Sequence, residues 1–348
     1  MRIISGLLRM IAALLALSQM AAGQTGPFQG GWTLQSGASA LNFQSVKNVT
    51  KVESSGFATF SGTLDESGGL RIAVLLDSID TKVDLRNVRM RFLMFETFQF
   101  PEAVITAQID PAVLADLPQI RRKQIPLSYN LTMHGVSKTF DTVVTATLLT
   151  DDLVAVSSGT PISVAADDFG MTGGVKKLEE AANVTIIPSA TVSFDFMFAR
   201  NVEGAAPVVA SVEPAPVALE AVGDFDLEAC KGRFEILSRA NSIFFATGSA
   251  TVDPQSVPFL DQLVDIVSRC PGMTIEVSGH TDSVGRKSWN QTLSEQRAAA
   301  VTAHLVGKGI DKSRVVAVGF GPDRPVFPND TAENKARNRR IEFAVVNG

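Results

Sequence analysis

Three stretches in the first half of the chain alternate apolar and polar positions with a period of two. They are Leu70, Ile72, Val74 and Leu76; then Ile125, Leu127, Tyr129, Leu131 and Met133; then Val192, Phe194, Phe196 and Phe198. Alternation of this kind buries one face of a strand and leaves the other to water. Several long strands of this period predict an antiparallel barrel or sandwich. A barrel of about eight strands either fills its interior with side chains or holds one small ligand. Periodicity leaves that choice open, and Leu127, Tyr129, Leu131 and Met133 are the candidate lumen residues.

The pattern changes in the second half. Residues 243–246 read as a strand, and 254–269 as a helix through Phe259, Leu260, Leu263, Ile266 and Val267. Residues 274–279 alternate as a second strand, a helix runs on to about Gly307, and 315–318 and 341–346 supply two more strands. The order βαβαββ predicts a small α/β domain.

The 348 residues suffice for two full cores, and 45% hydrophobic with 19% charged content is ordinary for globular protein. At the N-terminus, Arg2 and Arg9 precede a short apolar run and the small residues Ala21-Ala22-Gly23, which predicts a cleavable secretory signal over 1–23. The apolar run is too short to span a bilayer, and no cysteine follows it to carry a lipid. Residues 24–200 and 224–348 then form two domains. Between them, 201–223 carries Pro207, Pro214 and Pro216 among Ala, Val and Glu, and reads as a stiff linker that lets the domains act independently.

Charge and cysteines narrow the function. Residues 24–223 hold 14 Lys plus Arg against 21 Asp plus Glu, and 224–348 hold 15 of each. Neither half has the basic face that nucleic acid requires. Cys230 and Cys270 lie forty residues apart without a Cys-x-x-Cys element, so zinc is a poor fit. Export permits a disulfide between them, with two buried thiols as the alternative.

The chemistry concentrates around Gly279-His280-Thr281-Asp282 and the helix that follows. At 100° per residue, Asn290 and Arg297 point within about 20° of each other, on a stripe continued by Val301 and Leu305. A carboxylate at Asp282 and a guanidinium at Arg297 can face one cavity and clamp a ligand bearing an ammonium and a carboxylate. A plain structural ion pair is the competing reading.

Four motifs recur in order: residues 243–250 (IFFATGSA), the Gly-His-Thr-Asp turn, Leu293-Ser294 with Arg297-Ala298, and Asn338-Arg339-Arg340 with Ile341-Glu342-Phe343. Together they resemble the OmpA-like peptidoglycan-binding domain. The resemblance implies that Asp282 takes the ammonium of a diaminopimelate residue in a stem peptide and that Arg297 takes its carboxylate. It implies that Thr281, Asn290 and Arg339 line the pocket, with Leu293 and Asn338 in the same motifs and backbone from Phe245 through Ala246 to Gly248 along one wall. The usual Gly-Arg ahead of the Asn-Arg-Arg run is Asn334-Lys335 here.

The first half has a resemblance of its own. Ser78-Ile79-Asp80-Thr81, Arg86-Asn87, Phe100-Pro101, Leu131-Thr132-Met133-His134-Gly135-Val136 and Asp168-Phe169-Gly170-Met171 resemble the YceI-like family. That resemblance implies a lipocalin-like barrel, with a long isoprenoid chain or quinone as a possible occupant of the lumen. The family's Arg-Asp-x-His reads Arg86-Asn87-Val88-Arg89 here, and its later Asp is Met94.

An outer-membrane barrel tethered to peptidoglycan is an alternative, as is an envelope scaffold without a lipid. One Tyr and two Trp in the whole chain are too few for the aromatic girdles of a membrane barrel. His134, His280 and His304 have no triad or metal-helix spacing, and no serine sits in a nucleophile elbow. The expectation is a non-enzymatic periplasmic protein with no resident cofactor or metal, bound to the cell wall and not spanning the membrane.

Overall fold

The computed structural model describes residues 26–201, 223–240 and 242–347. The expected signal at 1–23 and nearly all of the expected linker lie outside the described residues.

The first domain is built on β1 (Trp32–Leu34), β2 (Ala40–Lys47), β3 (Lys51–Phe57), β4 (Phe60–Leu64), β5 (Gly69–Leu75), β6 (Ile79–Asp80) and β7 (Glu102–Gln108). It continues with β8 (Arg122–Met133), β9 (Val136–Thr150), β10 (Leu153–Ser158), β11 (Ile162–Ala165) and β12 (Ile186–Arg200). Pairing runs β1-β4-β5-β7-β8-β9-β10-β12 and returns to β1 through Trp32 opposite Arg200, which closes an antiparallel ring of eight strands. β12 is 15 residues long and serves twice. Its C-terminal half pairs with β10 and β1 in the ring, and its N-terminal half pairs with β2 and β11. The hairpin between β8 and β9 turns at His134 and Gly135, whose φ values of 52° and 75° suit a tight primed turn.

Three helical segments close the barrel. α1 (Asp84–Arg89) runs directly into a π-helical turn, Met90–Phe95. α2 (Leu117–Ile120) is a single turn that packs Leu117 with Ile125, Val144 and Leu148. α3 (Thr172–Ala182) buries Val175 and Leu178. At the tip of the hairpin, the His134 ring lies 3.3 Å from Glu96 and packs at a tilt against Phe100, tying the hairpin to the end of the π turn.

The second domain contains α4 (Leu227–Ala240), α5 (Val257–Ser268), β13 (Thr274–His280), α6 (Lys287–Gly307), β14 (Val315–Gly321), α7 (Ala332–Asn338) and β15 (Ile341–Asn347). Its sheet has the order β14-β13-β15, with β13 parallel to β14 and antiparallel to β15. Three details depart from the expected βαβαββ. The strand expected at 243–246 reduces to one bridge between Phe245 and Val252, α4 precedes it, and α7 separates β14 from β15. Cys230 and Cys270 form a disulfide with a Cα separation of 6.0 Å, joining α4 to the end of α5. Closing a loop of that length stabilises by about 4 kcal/mol on the chain-entropy argument.

The domains are not independent. Val88, Phe92, Leu93 and Leu178 of the first share one buried cluster with Phe234, Leu237, Phe259 and Leu263 of the second. Phe259 meets Phe92 and Phe98 edge-on at 6.1 and 5.2 Å. Polar contacts ring this patch: Arg233 to Asp84 at 2.7 Å, Lys177 to the Ala240 carbonyl at 3.0 Å, and Arg337 to both Glu180 oxygens at 3.1 Å. The apolar burial outweighs what a flexible linker would predict, because separation would expose several large side chains.

Phe92→Ala should therefore cost about 3–5 kcal/mol and uncouple the domains. Calorimetry of the full chain should give one cooperative transition for the parent and two for the variant. A variant with the parent's single transition and melting point would refute the shared core.

Candidate functional site

The first candidate pocket forms where β13 leaves the sheet. A Cβ on Gly279 would lie 2.2 Å from the Ser294 carbonyl, so only glycine lets α6 pack this closely on the strand. The turn that follows is held on both sides. Thr281 donates its backbone N–H to the Gly321 carbonyl at 2.9 Å, and Asn290 Nδ2 donates to the carbonyls of Asp282 and Val284 at 3.2 and 2.9 Å. Asp282 is thereby fixed as a buried carboxylate whose Oδ1 accepts the Val284 N–H at 2.9 Å.

The direct partner of Asp282 is Arg339, whose Nη1 donates to Oδ2 at 2.6 Å. The sequence predicts Asp282 and Arg297 facing one cavity with Arg339 lining it; the direct bond to Asp282 is made by Arg339. Arg297 is buried, donates Nε to the Ser249 carbonyl at 3.0 Å, and holds its guanidinium 4.9 Å over the Phe245 ring. Burial, then the like charge of Arg339, lower the Arg297 pKa, while Asp282 opposes them. The pocket thus holds one carboxylate and two guanidinia. Helical periodicity singles out Arg297 but has no hold on Arg339, which follows the end of α7.

The other expected residues divide by role. Leu293 and Thr281 are buried beside the pocket, and the exposed Ala246 and Gly248 form its outer turn, with Gly248 at φ 64°. Asn338 is fully buried and spends its side chain on loop 326–329, accepting from Val326 and Phe327 N–H and donating to the Phe327 carbonyl and Asn329. It shapes the loop without presenting a group to the pocket. His280 stacks on Phe320 and lies 3.5 Å from Glu342. The facing His280 ring, against the opposing effect of burial and with help from Arg340, holds the Glu342 carboxyl at about 2.

The second candidate is the barrel lumen, a cavity of about 530 Å³. Leu127, Tyr129, Leu131 and Met133 line it, and so do the rows beginning at Leu70 and Val192. Four charged residues also reach its wall: Lys47, Glu53, Arg86 and Arg89. Glu53 accepts from Lys47 at 2.7 Å and faces Arg86 at 3.0 Å. Burial resists its ionisation, but these cations hold its pKa below the ordinary carboxylate value. The motif at Arg86 and Arg89 is visible in the sequence, but no pattern joins it to Lys47 and Glu53, since the members come from β2, β3 and α1.

Fold and pockets together define a ligand-sized antiparallel barrel joined to a small α/β domain with a charged cleft. Residues 32–198 match the family model of the YceI-like domain, and residues 244–339 match that of the OmpA family. The protein is thus a YceI-like domain and an OmpA-family domain in one chain. Outer membrane protein A of Bordetella avium is 43% identical over 103 residues, 30% of this chain and 53% of that protein. Peptidoglycan-binding protein ArfA of Mycobacterium bovis is 34% identical over 103 residues, 30% of this chain and 32% of that protein. The chain spans about half or less of the length of these curated relatives. Among solved structures, a polyisoprenoid binding domain from Saccharophagus degradans, implicated in plant cell wall breakdown, is 29% identical at a TM-score of 0.47. It covers 49% of this chain and 98% of that one.

The depressed Glu342 makes a pH prediction. Its contribution to stability is complete above its ordinary value of 4.5 and is lost as pH falls through about 2. Urea unfolding across that window should show a steeper acid limb for the parent than for Glu342→Gln. Identical limbs would remove Glu342 from the account.

Proposed function

We propose that the protein is a cell-wall-associated binding protein of the bacterial envelope, without catalytic activity or a resident cofactor. Its OmpA-family domain holds the zwitterionic end of a diaminopimelate stem peptide, and its barrel holds an isoprenoid or other lipidic chain. The observation that carries the first part is the bond from Arg339 to Asp282 with the Arg297 guanidinium close enough to feel both charges. Asp282 can receive a ligand ammonium, while Arg297, whose Nη groups have no hydrogen-bond partner among the described residues, receives the carboxylate. The Mycobacterium bovis relative, a peptidoglycan-binding protein, agrees with a wall ligand.

The second part rests on the lumen. An apolar cavity of about 530 Å³ lies within the usual range of ligand pockets. The barrel's outer surface favours contact with water over lipid. The exposed row of β8 reads Arg122, Gln124, Pro126, Ser128, Asn130 and Thr132, where a lipid-facing strand needs apolar residues. This favours a periplasmic barrel over the membrane-barrel alternative.

Asp282→Ala and Arg297→Ala should each fold and should each weaken cosedimentation with purified sacculi by about tenfold or more, since removing one charge strands its partner in the complex. Unchanged cosedimentation of both variants would sink the site. Native mass spectrometry of the full chain should reveal a lipidic adduct whose extraction lowers the melting temperature.

A further inference from the structure

Charged residues stand at one part of the otherwise apolar lumen wall. We propose that the barrel takes a single-chain lipid ending in an anion, a phosphate or a carboxylate, and that Arg89 is its selectivity residue. This rests on the lumen reading above and deepens it, because an apolar cavity by itself would accept a neutral alcohol or quinone equally well.

Three cations and one carboxylate reach the cavity wall. Lys47 and Arg86 hold the two oxygens of Glu53 at 2.7 and 3.0 Å, so that carboxylate is fully engaged. Lys51 adds a third cation on Glu53 at 3.8 Å. Arg89 is left over. Its Nε is sealed from solvent without a hydrogen-bond partner, and among the described residues its guanidinium makes no ion pair. A buried donor on a permanently charged group is costly to leave unmade. An anion entering the lumen would pair with the Arg89 guanidinium at its wall, whose planar fork suits both phosphate and carboxylate. The excess of cations is local, because the domain around it has more acidic than basic residues. α1 also sets the polarity of the ligand. Arg86 and Arg89 lie one turn apart on the helix, followed by Met90 and Met94, which line the cavity as well. The head therefore sits by α1, and the chain extends toward the phenylalanine row of β12.

The test uses the full chain after organic extraction and three probes sharing one tail: geranylgeranyl phosphate, geranylgeranic acid and geranylgeraniol. Calorimetric titration should rank at least one anionic probe about tenfold or more above the alcohol, with the gap shrinking as salt rises. Which anion ranks first identifies the head as phosphate or carboxylate. Arg89→Gln should lose most of that gap and leave the alcohol's affinity unchanged, and Arg89→Lys should keep part of it. Glu53→Gln, which frees Lys47 and Arg86, should widen the gap and serves if Arg89→Gln does not fold. Equal affinity of the parent for all three probes would overturn the head assignment while leaving the lumen reading standing. Failure of all three to bind would overturn both.

Discussion

One helical segment, Asp84–Phe95, is asked to serve two cores. Val88, Phe92 and Leu93 belong to the cluster shared with the second domain, Phe95 belongs to the barrel cluster, and Met90 and Met94 touch both. A regular amphipathic helix offers a single apolar stripe. Here the change from α1 to the π turn re-phases the chain, so that apolar side chains point both ways within two turns. Such a segment cannot be left exposed on either side. Methionine suits the shared positions because its flexible thioether fills an irregular gap between surfaces of different curvature.

From that segment the remaining geometry follows. It forms part of the lumen wall and places Arg86 and Arg89 there. It also seats α4 and α5 against the barrel. α3 then lies between the two sites, with Leu178 lining the lumen and Glu180 bonded to Arg337. Arg337 is two residues before Arg339, the partner of Asp282. The two pockets share a theme, since in each a carboxylate is outnumbered by cations held partly out of water. Such an imbalance costs free energy in the unliganded protein and is relieved by an anionic ligand. What separates the pockets is the rest of the lining: one holds the buried Asp282 carboxylate, and the other a long apolar wall.

Much of this was legible in the sequence where a short period governs. The alternating rows at Leu70, Leu127 and Val192 line the lumen because a strand in a closed sheet has only an inside and an outside. The turn at Asp282 and the stripe carrying Arg297 were legible for the same kind of reason. Features without a period were not. α4 escaped notice because its buried face includes Arg233, a charge that breaks the apolar pattern and is met by Asp84, the Ala229 carbonyl and the Phe225 ring. The strand expected at 243–246 keeps one bridge because Phe244 points to solvent and only Val252 stands opposite Phe245. Arg339 was placed in the pocket by resemblance, but its pairing with Asp282 depends on where α7 stops.

The docking of the domains is the feature that sequence reading had least access to, and the reason is general. A proline-bearing connector constrains how far apart two domains can travel and says nothing of whether their surfaces attract. Attraction depends on surface patches assembled from Val88, Phe92 and Leu178 on one side and Phe234 and Phe259 on the other. Each of these, taken in its own segment, is indistinguishable from an ordinary core residue, because burial against a second domain and burial within the first require the same apolar chemistry. The one local sign was an excess: Asp84–Phe95 carries more large apolar side chains than a single face can hold. A helix apolar on too many sides is therefore the trace that an interdomain contact leaves in a sequence, and it lies in the domain that receives the contact, away from the linker.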